Sequence, residues 1–203
     1  AFGSFLSGES AVKGINPLRD KVGKVVATET LSIMDKAVVP GGMAIRSFDD
    51  EGFAAQNTGI IEAGVLKSLL HNSATAGFFG LETTGNARRG TKSSLSVSPR
   101  HLLVESSHAS DADLNAGQFF EVVALEGLHS GANGVTGEFS LKASGFLCRE
   151  GERSQPVRGV TIAGNFYRLL KDVEAVGQSA SWDSGRTFRA PRIRFGGCTV
   201  AGS

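Results

Sequence analysis

Four histidines, two cysteines and 20 carboxylates are the groups through which this 203-residue chain could hold a metal or move a proton. A zincin site needs two histidines one helical turn apart with a glutamate between them, so that both imidazoles face one ion and the carboxylate activates its water. His71, His101, His108 and His129 have no such spacing, and His101 and His108 stand seven apart in a strand-like stretch. A site assembled from scattered His and Cys is the remaining metal alternative. Serine chemistry would need a Gly-x-Ser-x-Gly elbow, which the chain lacks. A nucleophilic cysteine needs an exposed, electropositive setting. Cys148 and Cys198 instead sit among apolar residues, so both are expected to be buried free thiols, although Arg149 follows Cys148. Gly85-Asn86-Ala87-Arg88-Arg89-Gly90 lacks the Lys-Ser/Thr ending of a phosphate loop. The run Asp49-Asp50-Glu51 could serve a hard cation. Adjacent side chains point apart, however, and a solvated loop is the expectation. No catalytic residue, metal ligand or cofactor is therefore assigned to this chain.

The elements that would position a site must be many and short. Glycine supplies 27 of the 203 residues, close to twice its usual share of about 7%. These glycines are scattered between short apolar runs, which indicates many turns and a β-rich chain. At this length a folded chain buries roughly 70% of the surface it exposes when unfolded, so a core is feasible. The expected fold class is α+β: mostly antiparallel β-sheet, sandwich- or barrel-like, with a few short helices, in one domain over residues 1–203.

Asn16-Pro17 reads as a helix start, with Leu18 and Val22 on one face and Gly23 as its end. Lys24 to Met34 reads as extended. Gly41-Gly42 is a turn. Thr58 to Leu70 is a hairpin around Glu62-Ala63-Gly64, with glycine where a positive φ is needed. Residues 72–100 read as a long surface segment. Strands are expected at His101–Glu105, Phe119–Leu125, Glu138–Leu147, Pro156–Ile162, Pro191–Phe195 and Thr199–Ala201, and Ser110 caps a short helix between the first two. Asn165 caps a further helix whose stripe is Phe166, Leu169, Leu170 and Val173, with Gly177 at its C-terminal cap.

A net charge of +1 carries no excess of the kind that phosphate-backbone binding needs, so direct nucleic-acid contact is not expected. Arg88-Arg89 and the group Arg186, Arg189, Arg192 and Arg194 read as solvated faces and loops. No apolar run approaches the roughly 20 residues of a membrane span, and no signal peptide opens the sequence. Two cysteines outside any disulfide framework suit a reducing, cytoplasmic setting. The first residue is not Met, which fits a piece of something longer.

Whole motifs are more specific than any single residue. Gly131 to Asn165 reads GANGVTGEFSLKASGFLCREGERSQPVRGVTIAGN and continues FYRLLKDVEAVG. Phe48 to Gly52 reads FDDEG, Gly59 to Leu70 holds I-E-A-G-V-L-K-S-L-L, Gly85 to Arg89 reads GNARR, and Gly197 to Gly202 closes the chain. These five blocks together resemble the C-terminal domain of the TldD/PmbA family, also known as modulators of DNA gyrase. The resemblance covers almost all of residues 1–203 and implies a further N-terminal domain that this sequence does not contain.

Catalytic members of that family carry a His-Glu-x-x-x-His helix just upstream of this region and a cysteine near the C-terminus as a further metal ligand. Here the first ten residues contain no His, and the stretch before Ala190-Pro191, where that cysteine would fall, holds Arg186 to Arg189. The pattern is similar to the metal-less TldE/PmbA side. The resemblance then implies a non-catalytic subunit of a cytoplasmic heterodimeric metallopeptidase that degrades or trims unfolded peptides. Zinc is expected in a TldD-like catalytic partner, and this chain would help form the substrate chamber. His129, Ser130 and Asn133, before the most diagnostic strand, are the candidate substrate-binding residues. The alternative is a standalone, homo-oligomeric peptide-binding or scaffold domain without catalysis.

Overall fold

The computed structural model describes residues 3–107 and 109–202. Strand accounts for 42% of the chain and helix for 12%, which makes it an α+β fold dominated by antiparallel sheet. The strands are β1 (Ile33–Lys36), β2 (Thr58–Glu62), β3 (Val65–Leu66), β4 (Ala87–Arg88), β5 (Ser96–Val97), β6 (His101–Val104), β7 (Gln118–Glu126), β8 (Glu138–Arg149), β9 (Glu152–Asn165), β10 (Val173–Trp182), β11 (Phe188–Phe195) and β12 (Thr199–Ala201). The helices are α1 (Gly8–Val12), α2 (Ser73–Phe79), α3 (Asp111–Asn115) and α4 (Phe166–Leu169).

One sheet has the order β10-β11-β6-β1-β2-β3, with β11 and β6 parallel and the other pairs antiparallel. The second is a four-stranded antiparallel sheet in the order β12-β9-β8-β7. β4 and β5 make a separate small hairpin sheet. The main core lies on the first sheet, where Leu6, Ile60, Ile61, Leu66, Leu70 and Val176 are almost fully buried. A smaller cluster of Ala143, Val160 and Ile162 sits on the second. Residues of both sheets, among them Phe119, Leu141, Ile162 and Ile193, line a shared cleft in a sandwich-like arrangement.

The β2–β3 hairpin forms as its residues require. Ala63 (φ 46°) and Gly64 (φ 77°) both take positive φ, as a two-residue hairpin of matching twist demands. The Lys24–Met34 segment is mostly not a strand. It runs past this tip, with Val26 and Ala27 donating to the Gly64 carbonyl, and becomes a strand only at Ile33.

Three helix expectations change. Asn16 does not start a helix, because its side chain bridges backward and forward. Nδ2 donates to the Phe5 carbonyl at 3.0 Å and to Ser10 Oγ at 3.1 Å, and Oδ1 accepts from Leu18 N at 2.9 Å. Two successive turns follow instead. Residues 72–100 are not one surface loop. They contain α2, capped by a reciprocal Asn72–Thr75 box and ended by Gly80 in the left-handed conformation. The helix after Asn165 stops at Leu169, and Val173 opens β10. Its apolar stripe is buried or half-buried, but the Asp172 carbonyl accepts from Gly196 N at 2.9 Å and so holds the exit beside β11. Gly177 therefore caps nothing. It lies inside β10, where a Cβ would meet Leu114 of α3 at 2.9 Å.

Candidate functional site

The β7–β8 connection carries the residues expected to face substrate. His129 and Ser130 are exposed at its tip. Ser130 and Gly131 both donate to the Gly127 carbonyl, at 3.1 and 2.7 Å. Asn133 is exposed, and its Oδ1 accepts from Val135 N at 2.9 Å and Thr136 N at 3.1 Å, so the amide shapes the turn. Tyr167 donates its hydroxyl to the Gly134 carbonyl at 2.6 Å, and Asn165 Nδ2 donates to the Thr136 carbonyl at 2.9 Å, tying the loop to α4. His129 and Ser130 share a loop tip. No hydrogen bond among the described residues joins either side chain to the other or to a carboxylate.

A denser constellation lies elsewhere in the fold, where the FDDEG and GNARR segments meet β1. Asp35 of β1 is fully buried. Its Oδ1 accepts from Arg100 N at 2.7 Å and its Oδ2 from Asn86 Nδ2 at 2.6 Å. Burial pushes the Asp35 carboxyl above its usual range against these donors. Asn86 also donates to the Ser98 carbonyl at 3.1 Å and accepts from Thr84 Oγ1 at 2.7 Å. The expectation of a solvated 49–51 triplet fails for Asp49, which is buried. Asp49 accepts from the backbone N–H groups of Glu51, Phe53 and Ala87, each at 3.0 Å. Asp50 accepts from Arg89 N at 2.6 Å and pairs with Arg46 at 3.2 Å and Arg88 at 3.4 Å. The Arg89 N–H, then the two guanidiniums, hold its carboxyl below the ordinary range. Glu51 accepts from Ser73 N at 2.8 Å, at the start of α2.

These bonds wall a cleft of about 510 Å³. Its sides are 43–46, Asn86 to Arg88, Ser98 to Arg100, and the Thr187-Phe188 start of β11. Arg100 lines it while only 7% exposed. The Nε and Nη1 atoms of Arg100 have no hydrogen-bond partner among the described residues. The polar groups that line the cleft are Arg46, Arg88, Arg100, Asn86, Asp49, Ser98 and Thr187. Arg100 escapes a reading of the sequence because one arginine before a strand has no periodicity or spacing to mark it.

The described histidines and cysteines do not converge on one point. His101 is buried, its Nδ1 lies 3.0 Å from the Lys36 carbonyl and its Nε2 accepts from Ala44 N at 2.9 Å, so both ring nitrogens are engaged. His71 is buried, and its Nδ1 lies 3.2 Å from Thr75 Oγ1. His108 lies outside the described residues. Cys148 is buried beside Glu121. Cys198, expected to be buried, is partly exposed in the inter-sheet cleft, just before the three-residue edge strand β12. Burial and then Asp172 raise its thiol pKa, which keeps it protonated. Among the described residues no three His, Cys, Asp or Glu side chains converge. No described helix is long and apolar enough to cross a membrane.

Residues 1–202 match the family model of the PmbA/TldA metallopeptidase C-terminal domain, and the chain belongs to the PmbA/TldD family. It is similar to a metalloprotease of Archaeoglobus fulgidus, 32% identical over 195 residues that cover 95% of this chain and 45% of the relative. It is also similar to the metalloprotease PmbA of Escherichia coli O157:H7, 29% identical over 172 residues, covering 85% and 36% respectively. The solved structure of TldE from Thermococcus kodakarensis superposes with a TM-score of 0.90 at 28% identity, covering 100% of this chain and 46% of that one. A Thermotoga maritima protein named for modulation of a DNA gyrase superposes with a TM-score of 0.86 at 33% identity, covering 98% and 45%. The chain thus spans less than half the length of these four proteins.

Proposed function

We propose that this chain is the C-terminal part of a TldE/PmbA-like subunit that carries no metal of its own. In this reading it pairs in the cytoplasm with a TldD-like, zinc-bearing subunit and helps form the chamber in which unfolded peptides are degraded or trimmed. The observation that carries the reading is the β10–β11 connection. It leads into Arg186 to Arg189, the stretch before Ala190-Pro191 where the resemblance places a metal-ligating cysteine in catalytic members. Here the connection is Asp183-Ser184-Gly185-Arg186-Thr187. The turn is closed by Asp183 Oδ1, which accepts from Thr187 N at 2.8 Å and Phe188 N at 2.9 Å. Cys148 lies in β8 and Cys198 beyond β11, so neither occupies that connection. The likeness to TldE over the whole chain supports the same side of the family.

Peptide would be held in such a chamber by main-chain hydrogen bonds to a sheet edge, which need little sequence preference. β7 is the outer strand of its sheet, nine residues long, with Val122, Val123 and Leu125 exposed.

The test is co-expression of the full-length protein with a His-Glu-x-x-x-His-bearing relative from the same source. A one-to-one complex that cleaves an unstructured peptide, with the zinc on the partner, is the expected outcome. One equivalent of zinc on the full-length protein alone, with cleavage, overturns the reading. Self-association with peptide binding but no hydrolysis in the partner's presence favours a homo-oligomeric scaffold instead.

A further inference from the structure

We propose that the cleft over Arg100 is a binding site for a carboxylate carried on a largely apolar peptide end or side chain. Arg100 is a cation held more than nine-tenths out of water, and its Nε and Nη1 have no acceptor among the described residues. Leaving such donors unpaired is costly, and an anionic acceptor recovers that cost most fully. Its backbone is fixed independently, because Arg100 N donates to Asp35 Oδ1 at 2.7 Å. The side chain is buried in the cleft wall before any ligand arrives.

The rest of the lining selects among anions. Arg46 and Arg88 stand at the cleft, joined through Asp50, and Asp49 is in the wall. With Asp35 behind Arg100, three guanidiniums stand among three acidic side chains, so the cleft has no surplus of positive charge for a dianion. A phosphate dianion would share the cleft with Asp49 in its wall. Asp35, behind Arg100, already accepts two N–H groups and offers the ligand nothing. Met43, Ile45 and Phe188 are large, exposed apolar side chains at the same cleft, 72%, 55% and 41% accessible. They suit a carboxylate with an apolar body, not a bare inorganic ion.

The peptide origin of the carboxylate rests on the proposed function, whereas the carboxylate preference itself does not. Calorimetric titration of the full-length protein separates the two. The probes are an Ala-Leu-Leu tripeptide with acetylated N-terminus and free C-terminus, the same peptide amidated, an amidated version with one glutamate, and inorganic phosphate. The free acid should bind at least tenfold more tightly than its amide, and Arg100→Gln should erase that difference. If the glutamate-bearing amide equals the free acid, the site takes side-chain carboxylates as well. If only the free acid binds, it takes chain ends. Equal affinity for acid and amide, no binding of either, or tighter binding of phosphate overturns the proposal. Should Arg100→Gln fail to fold, Arg46→Gln at the rim decides, because it must weaken the free acid severalfold and leave the amide unchanged. Carboxylate binding without any peptide cleavage in the two-subunit test would leave the cleft standing and the peptidase reading fallen.

Discussion

Asn86 donates through Nδ2 to Oδ2 of Asp35 at 2.6 Å, and this bond joins the GNARR segment to the first strand of the main sheet across 51 residues of sequence. Asn86 is 2% exposed and Asp35 fully buried, so no solvent can replace the bond. Asn86→Ala removes the side-chain donor from a buried carboxylate and leaves it the backbone N–H groups of Arg100 and His101. It also takes one partner each from the Thr84 hydroxyl, which keeps its bonds to His71, and the Ser98 carbonyl. A loss of about 2–4 kcal/mol is expected. Urea unfolding monitored by circular dichroism measures it, and a change under about 0.5 kcal/mol, the range of ordinary surface substitutions, would show that the bond is incidental.

His71 makes stability depend on pH. Its ring is buried, and that burial lowers its pKa from the ordinary 6.5. The unfolded chain then takes up the proton before the folded one does. The stability this group contributes is full above pH 6.5 and is lost as pH falls from there through the folded pKa. His71→Gln should flatten that part of the profile. The check is a series of urea midpoints in wild type and variant from neutral pH downward. An unchanged slope below pH 6.5 would place the dependence elsewhere.

Gly64 is required by space as well as by torsion. It sits at φ 77°, and a Cβ there would meet the Ala27 carbonyl oxygen at 2.5 Å and that of Thr28 at 2.8 Å. Both obstacles are backbone and cannot rotate away. Gly64→Ala should therefore cost about 2–4 kcal/mol, combining left-handed strain with displacement of the neighbouring chain. Gly23→Ala is the control. Its φ is 81°, but nothing lies within 4 Å, so only the torsional part, about 1 kcal/mol, applies. Thermal melts of the pair separate the two causes. Equal shifts would remove the steric part.

The strands are legible where alternation and glycine turns reinforce each other, as from Glu138 through Ile162. The long antiparallel run of β8 and β9 follows that expectation, with β9 longer at both ends. β10 is not legible, because its first residue, Val173, also completes a helical stripe from Phe166, and only the Asp172–Gly196 bond decides between them. α2 is hidden because it is seven residues long and capped by Asn and Thr, with no acidic capping signature. The loop motif 128–133 points to a surface turn, yet the buried polar network lies elsewhere, around Asp35, Asp49, Asn86 and Arg100. Those four are scattered over 66 positions from Asp35 to Arg100. Their meeting is made by strand pairing of β1 with β6 and by the FDDEG loop folding onto β4, neither of which leaves a local spacing to read.

Asp50 gives a test with the opposite sign to the arginine variants. It accepts from Arg89 N at 2.6 Å and shares its carboxylate between Arg46 and Arg88. Asp50→Asn keeps an oxygen for the Arg89 N–H, so the loop can hold its shape, but removes the charge that partly neutralises the two guanidiniums. The cleft then gains one unit of positive charge. Affinity for the free-acid tripeptide should rise severalfold, while affinity for the amide stays level. Because Asp50 and its partners are solvent-accessible, the gain should shrink as salt is raised from low to physiological ionic strength. Calorimetry at the two salt levels reads it directly. Unaltered or weaker binding of the free acid by Asp50→Asn would mean that Arg46 and Arg88 do not contribute to recognition, and that Asp50 serves only to hold the FDDEG loop against β4.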